Sequence, residues 1–559
     1  MNIRQKLPAI LLPALALLGY ATRVTAANPT HDLSPGVVFG AQINSYEVST
    51  ACPFAQTLGV KAATVWYDWG RWEPSPGTYN YSSLDSAVQQ LMSCGVTDIG
   101  LHFMTTNTWG VDTSYSSGQP PVTDTNGFFT GLTALATYIK SKYANPATGV
   151  ISHVAIGNED ESTGHWPAPL STYFSLFPGA ASALHSGDPN VIAMESGTGG
   201  SEYGPAIAQE MANSGDLTNA ANLVTDYFAF KPTGTNHPSL TASTVQSWLT
   251  KQNTSARFTT WFLPSLFGSS GQGLFSTPGY QASQIHFYHN WWNLPLVYNF
   301  VNSGLTAAGK PAGFPTEQWE LGYGWDSTSG LTYSPTDHAQ AVIKLLTIAA
   351  GEGSRRVIYW KLLDEEFKHG GSGGSTPSTD IGLVQLNSGG SYQIDAPALA
   401  YKLAVAQLSG ATSGQRLYPD GCSNPTSPYY CPNPYSPYWV YKFIKNGQTV
   451  YVAWAGRAAT FTNQPNQTVS LSTTSVPVTI TGIDQNGNPV TSTGDLKSFT
   501  VTPSPIFLTG GVAPTPPPSP IPGDLNGDGR VDITDLRLLL NNFANFFYYN
   551  LIVQNFGRQ

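Results

Sequence analysis

His153-Val-Ala-Ile-Gly-Asn-Glu159 is a short apolar run that ends abruptly in Asn-Glu. Such a run predicts a buried strand delivering a carboxylic acid to its carboxyl end. A second ending of this kind comes in Phe314-Pro-Thr-Glu-Gln-Trp-Glu-Leu-Gly-Tyr323. The plainer alternative, that Glu159 only caps the segment after it, sits poorly with the aromatic-rich flanks. Outward from these two stretches, strands are expected at Val37–Gln42, Ala63–Trp69, Asp98–Met104, Ser152–Glu159, Val191–Ser196, Gln284–His289, Phe314–Leu321 and Arg355–Leu362. Helical stretches such as Ser83–Cys94, Phe128–Tyr143 and Thr336–Ala350 lie between them. Strands alternating with helices in this way predict an α/β fold, a (β/α)8 barrel over residues 27–410. A doubly wound open sheet competes, but no Gly-rich phosphate turn follows the first strand. Residues 197–283 exceed what one helix needs and predict extra elements over the top of the barrel.

After the barrel the texture changes. Short runs at Trp439–Ile444, Thr449–Trp454, Thr468–Leu471, Val476–Ile480 and Ser498–Leu508 are punctuated by Asn446-Gly447 and Asn486-Gly487. They predict an antiparallel β-sandwich over 411–510, with 406–435 as its connection to the barrel. Residues 511–523 hold Ala513-Pro-Thr-Pro-Pro-Pro-Ser-Pro-Ile-Pro522, a stiff extended linker. The tail, 524–559, opens with Asp524-Leu-Asn-Gly-Asp-Gly-Arg-Val-Asp-Ile-Thr-Asp535. Asp524, Asn526, Asp528, Asp532 and Asp535 place oxygen donors at the side-chain positions of a calcium loop. The Arg530 carbonyl fills the remaining position, and Gly529 supplies the sharp turn. Bound Ca2+ is therefore expected in the tail.

The chain has 559 residues, a net charge of −9 and only 11% charged residues. No basic patch exists to hold nucleic acid. Residues 1–26 predict a secretory signal: Arg4 and Lys6 precede an apolar stretch, Leu7–Ala21, and Val24-Thr25-Ala26 offers a cleavage site. Pro8 and Pro13 interrupt that stretch, so the mature chain is expected without a membrane span, secreted and extracellular, either free or at the cell surface. Of the 4 cysteines, Cys422 and Cys431 enclose a Pro/Ser/Tyr-rich loop and are expected to pair. Cys52 and Cys94 are expected as separate thiols, because a barrel would set them near opposite ends, beyond the roughly 7 Å limit for a bridge. The 14 Trp and 28 Tyr suit sugar binding as well as core packing.

Several motifs now stand together: Trp69-Gly-Arg-Trp-Glu-Pro74, Gly77-Thr-Tyr-Asn-Tyr-Ser82, Gly157-Asn-Glu159, His286-Phe-Tyr-His-Asn-Trp-Trp292, Glu320-Leu-Gly-Tyr323 and Ile358-Tyr-Trp360. In this order they resemble the retaining glycosidases of glycoside hydrolase clan A, families 39 and 5 in particular. The resemblance implies Glu159 as acid/base, with a pKa raised by burial and a negative neighbour. It also implies Asn158 as partner of the sugar 2-hydroxyl and a nucleophile at the end of the seventh strand. Glu317 and Glu320 both occur there. Three residues apart, they should face opposite ways in a regular strand, unless a bulge intervenes. The clan's Glu-x-Gly pattern favours Glu320. The resemblance further implies Trp360 as a sugar platform and Tyr288 as a partner of the nucleophile facing the substrate. His102, ending the third strand, is placed to touch substrate, and His286 is either a substrate contact or a satisfied core histidine. Trp66, Trp109 and Trp166 are either subsite walls or packing, and Asp160 and Glu161 are either solvated or supporting.

The tail resembles a dockerin module, which implies a cohesin-like or cell-surface partner. Its second calcium loop is missing, and only Tyr549–Gly557 remains as a second helix. Taken together, these features predict a secreted retaining enzyme that cleaves β-linked oligo- or polysaccharide with two Glu and no catalytic cofactor. The competing readings are a catalytically silent carbohydrate-binding or surface-attachment protein on the same scaffold, and an inverting enzyme.

Overall fold

A computed structural model describes residues 28–44, 47–115, 118–145, 149–160, 164–197, 200–213, 215–220, 223, 280–287, 290–311, 313–322, 334–364, 382–386, 390–419, 432–457 and 463–510. The expected signal, linker, calcium loop, second dockerin helix, Tyr288 and the Cys422–Cys431 pair lie outside these residues.

Eight parallel strands and eight helices alternate along the chain among the described residues. They are β1 (Val38–Ala41), α1 (Val48–Leu58), β2 (Ala62–Asp68), α2 (Ser82–Ser93), β3 (Asp98–Met104), α3 (Thr125–Lys142), β4 (Gly149–Ile156) and α4 (Leu170–Gly187). There follow β5 (Ile192–Met194), α5 (Gly200–Asn213), β6 (Ser283–Phe287), α6 (Leu294–Ala307), β7 (Thr316–Leu321), α7 (Pro335–Gly351), β8 (Arg356–Tyr359) and α8 (Ala396–Leu408). The strands run β5-β4-β3-β2-β1-β8-β7-β6, and a parallel bridge from Ala193 to Tyr280 ties the two ends together. This is the expected (β/α)8 barrel. Its strands read as nearly unbroken apolar runs because helices cover one face and the barrel interior the other. Local signals agree with the boundaries. Asp124 caps α3 by accepting from the Gly127 amide, Ser334 caps α7 ahead of Pro335, and Gly59 ends α1 at φ 74.

Parallel register aligns inward-facing residues in layers. Ala62, Thr64 and Trp66 of β2 sit beside Asp98, Gly100 and His102 of β3. At the amino end of the barrel Arg356 hydrogen-bonds Asp98, and His153 Nε2 meets Glu317 Oε1 at 2.9 Å. In the middle Trp319 shares a buried cluster with Ala155, Met194 and Ala282. The upper layer carries His102, His286 and Glu320. Strand β7 bulges between the middle and upper layers: Ile285 pairs with Gln318, but His286 pairs with Glu320, leaving Trp319 extra. The expectation that only one of Glu317 and Glu320 enters the barrel is thereby corrected. Both do, at different heights.

Beyond α8 an antiparallel sheet of seven strands contains His31–Asp32, β9 (Ser413–Tyr418), β10 (Tyr438–Lys445), β11 (Gln448–Ala455), β13 (Pro477–Ile483), β14 (Pro489–Asp495) and β16 (Ile506–Thr509). A two-stranded sheet, β12 (Gln467–Val469) with β15 (Phe499–Val501), shares its apolar cluster. Strand β9 falls inside the segment expected to be connection. The expected strand Ser498–Leu508 is two strands in two sheets, broken at Pro503 and Pro505, which lack the amide a ladder needs. Asn446 (φ 51) and Gly447 (φ 75) form the hairpin turn between β10 and β11. The sheet docks on the barrel through Trp291, which lies 5.9 and 5.7 Å from Trp439 and Trp454. Tyr441 and Arg416 both donate to Glu352 Oε1 across the same boundary.

Cys52 and Cys94 form a disulfide, with Cα atoms 4.8 Å apart, which corrects the expectation of separate thiols. Helix α1 is short and Cys52 is its fifth residue, so the middle of α1, not its start, meets the end of α2. Gln56 of α1 donates to the Ser93 carbonyl there at 2.9 Å. Among the described residues no helix is long and apolar enough to cross a membrane.

Gly100 faces Trp319 so closely that a Cβ would stand 2.6 Å from the ring. Gly100→Ala is expected to lower unfolding free energy by about 1–3 kcal/mol. Urea denaturation checks this, and an unchanged midpoint would contradict the layered packing.

Candidate active site

The carboxyl end of β4 turns sharply. Gly157 (φ 91) and Glu159 (φ 47) are both left-handed, a costly conformation for Glu that its surroundings must enforce. The Glu159 amide donates to the Ser196 carbonyl at 2.9 Å. Asp160 is fully buried and accepts from the Gln119 amide nitrogen at 2.6 Å and the Asn158 backbone at 3.3 Å. Asp160 is therefore a support of the turn, not a solvated acid, while Glu161 lies outside the described residues. A Cβ on Gly157 would come 2.0 Å from Asp160 Oδ2, so the turn needs glycine there.

His286 of β6 draws the site together. Its Nδ1 lies 3.0 Å from Glu159 Oε1 and 3.6 Å from Glu320 Oε2. His102 Nε2 approaches the other Glu320 oxygen at 3.9 Å, and His165 Nδ1 approaches Glu159 Oε2 at 3.5 Å. The structure thus brings together Glu159, Glu320, His102 and His286 from four separate segments. Asn158 is buried beside them, its side-chain oxygen without a hydrogen-bond partner among the described residues. Trp360 follows β8 and is largely buried, its amide bound to the Leu321 carbonyl at 2.9 Å. Glu317 is not part of this group. Besides His153 it accepts from the Trp319 indole at 2.9 Å, deep in the barrel.

Electrostatics follow from the geometry. Burial alone would lower the His286 pKa, but the charges of Glu320 and Glu159 outweigh burial and raise it. Burial pushes Glu159 up, yet the hydrogen bond and charge of His286, with a smaller contribution from His165, hold its pKa down. This departs from the raised value implied by the family resemblance: the negative neighbour is present, but an imidazole stands between. His102 is pushed well below its ordinary value by burial and by the positive charge on His286. His102, His286 and Glu320 also set one ligand atom each within 4.8 Å of one another, the one cluster among the described residues with the geometry to gather a cation.

The three ambiguous tryptophans separate by exposure. Trp109 donates to the Glu73 carbonyl at 3.1 Å and packs on Trp69. Trp166 is buried, with its indole on Thr172. Trp66, an inward-facing residue near the end of β2, is 39% exposed and stands 6.1 Å from the His102 ring. The Trp69–Pro74 motif is architectural: the Trp69 indole and the Gly77 amide both donate to the buried Glu73 carboxylate. His165, Gln119, Glu195 and Gln284 also take part, although none of them stands in a motif of the sequence. Of these, Glu195 carried a usable signal, since it too ends a barrel strand with an acid.

No protein-family model matches the chain, and no curated protein matches it either. Among solved structures, a family 39 β-xylosidase from Caulobacter crescentus superposes with a TM-score of 0.51 at 12% identity, covering 87% of this chain and 98% of that one. A family 39 glycoside hydrolase from Bacteroides cellulosilyticus WH2 gives 0.48 at 15% identity, with 86% and 81% covered. A family 30 subfamily 8 xylanase from Clostridium acetobutylicum gives 0.47 at 12% identity, with 88% and 98% covered. The structural neighbours are glycoside hydrolases, and at these identities the likeness is one of fold.

Burial opposes ionisation of Glu317, but His153 and Arg356 prevail and hold its pKa below the ordinary value. Its stabilising contribution is therefore present above the unfolded-state pKa and is lost as pH falls through the lower folded value. Glu317→Gln should cost about 1–3 kcal/mol at neutral pH. It should also flatten the loss of stability on acidification, as read from denaturant unfolding at several pH values. Equal slopes in both proteins would contradict the ion pair.

Proposed function

We propose that the chain is a secreted retaining glycoside hydrolase that cleaves β-glycosidic bonds of an oligo- or polysaccharide. Glu320 is the nucleophile and Glu159 the acid/base. One observation carries this reading: a single buried nitrogen, His286 Nδ1, lies within 3.6 Å of both carboxylates at the carboxyl end of the barrel. The two distances cap the separation of the facing oxygens at their sum, which admits the about 5–5.5 Å of retaining carboxyl pairs and reaches only the lower edge of the about 6.5–9.5 Å of inverting ones.

Glu320 attacks the anomeric carbon while Glu159 gives its proton to the departing glycosidic oxygen, leaving a glycosyl ester on Glu320. Glu159, now ionised, removes a proton from water. That water attacks the anomeric carbon, releases the sugar with its original configuration and restores both acids. Asn158 and Gln42, each buried with a side-chain oxygen that has no partner among the described residues, suit sugar hydroxyls at the barrel mouth. Trp66 and Trp360 suit the C–H face of a pyranose. The chemistry calls for no metal or organic cofactor. Residues 1–26 serve as an export signal, and Asp524, Asn526, Asp528, Asp532 and Asp535 would hold Ca2+ in a tail that attaches the enzyme to a cohesin-like or cell-surface partner.

Glu159→Gln should cut kcat on unactivated β-linked oligosaccharides by about 10²–10⁴-fold. Turnover of a dinitrophenyl β-glycoside should persist, and azide should accelerate it. No turnover of any β-glycoside by the unmodified chain would favour a silent binding protein instead. Trp66→Ala should raise KM for oligosaccharides about tenfold, consistent with the loss of about 1–1.5 kcal/mol of stacking. Unchanged KM across xylo-, cello- and manno-oligosaccharides would remove Trp66 from the binding surface.

A further inference from the structure

We propose that Gln284 is a positioning residue that holds His286 in its Nε2–H form, so that Nδ1 stores the proton which Glu159 delivers. This inference rests on the glycosidase reading of the site.

The assignment follows from donors and acceptors alone. The Gln284 side-chain nitrogen hydrogen-bonds the Glu195 backbone carbonyl, which can only accept. The amide orientation is thereby set, and Gln284 Oε1 is the atom facing His286 Nε2, at 3.2 Å. A carbonyl oxygen can only accept, so Nε2 must carry a hydrogen. Gln284 is itself clamped: its backbone amide donates to Glu195 Oε1 at 3.1 Å, and Ser283 Oγ donates to that same oxygen at 2.5 Å. Gly197 closes the far side, where a Cβ would lie 2.7 Å from Nε2. With one nitrogen committed, only Nδ1 can gain or lose a proton, and Nδ1 faces both carboxylates.

The groups around the imidazole support this use. Glu159 and Glu320 face Nδ1 from the ends of β4 and β7. His102 on β3 stands with its ring centroid 5.9 Å away, Glu195 sits behind Gln284 after β5, and His165 faces the second oxygen of Glu159. The proton count closes. The proton held on Nδ1 passes through Glu159 to the leaving oxygen as Glu320 loses its charge in the ester, so Glu159 is left ionised. The imidazole is then neutral, still protonated on Nε2. When water attacks, its proton passes to Glu159 and back to Nδ1 as Glu320 becomes an anion again. Burial leaves His286 with no solvent contact of its own, so this exchange runs through Glu159.

The test uses the full chain with 15N-labelled histidine, the His286 signals being identified by their loss in His286→Gln. In the unmodified protein the neutral form at high pH should show a protonated Nε2 and a bare Nδ1. A neutral form protonated on Nδ1 would overturn the proposal, whether or not the protein turns over any glycoside. Gln284→Met removes the acceptor and should move the hydrogen to Nδ1. Its kcat/KM should fall about tenfold or more on glycosides with poor leaving groups, and less than about threefold on a dinitrophenyl glycoside. An equal fall on both would mean general disruption and would also overturn it. Absence of all turnover by the unmodified chain, with the Nε2–H form intact, would sink the glycosidase reading and leave the positioning role standing.

Discussion

One imidazole between two carboxylates is the contact on which the site depends. Two anions about 6 Å apart at a protein-like dielectric of about 20 repel by about 3 kcal/mol. Pairing them through His286 turns that repulsion into two attractions. The cost is that every element around the ring must be placed to fit it. Gly197 leaves the room, Gln284 holds one nitrogen, and the left-handed Glu159 turn brings the first acid over the barrel axis. The bulge in β7 swings the second acid inward from a position that regular alternation would have turned outward.

The same bulge divides labour between the two acids of β7. Glu317 is committed to His153 and the Trp319 indole in the lower layer, where buried Arg356 and half-buried Asp98 complete a charge network. Glu320 belongs to the upper layer with His102 and His286. Trp319, lodged against Gly100, separates the layers with its ring. Interior packing and the proposed chemistry are thus stacked along one axis, the structural network below and the candidate reactive groups above, at the end of a barrel where strands carry function.

What was legible in the residues follows from how local each signal is. Strand β3 matches its expected bounds, Asp98–Met104, because a two-sided buried strand writes an unbroken apolar run. Asn158-Glu159 was legible because a polar pair after such a run has few other readings. The edge strand β14, Pro-Val-Thr-Ser-Thr-Gly-Asp, is mostly exposed and leaves no alternation to detect. The Cys52–Cys94 bridge depends on how far α1 slides against α2, which spacing does not encode. The β7 bulge has no residue signature either, so the choice between Glu317 and Glu320 came from a family pattern. His165 and Gln284 are single polar residues whose importance comes only from what lies across from them in space.

In the proposed reaction Glu320, and not its neighbour Glu317, carries the covalent sugar. Incubation with an activated 2-fluoro β-glycoside, followed by proteolysis and mass spectrometry, tests this most directly. One added sugar is expected on the peptide spanning Thr316–Leu321, with fragmentation placing it on Glu320. A label on Glu317, or hydrolysis with inversion and no trapped adduct, would contradict it.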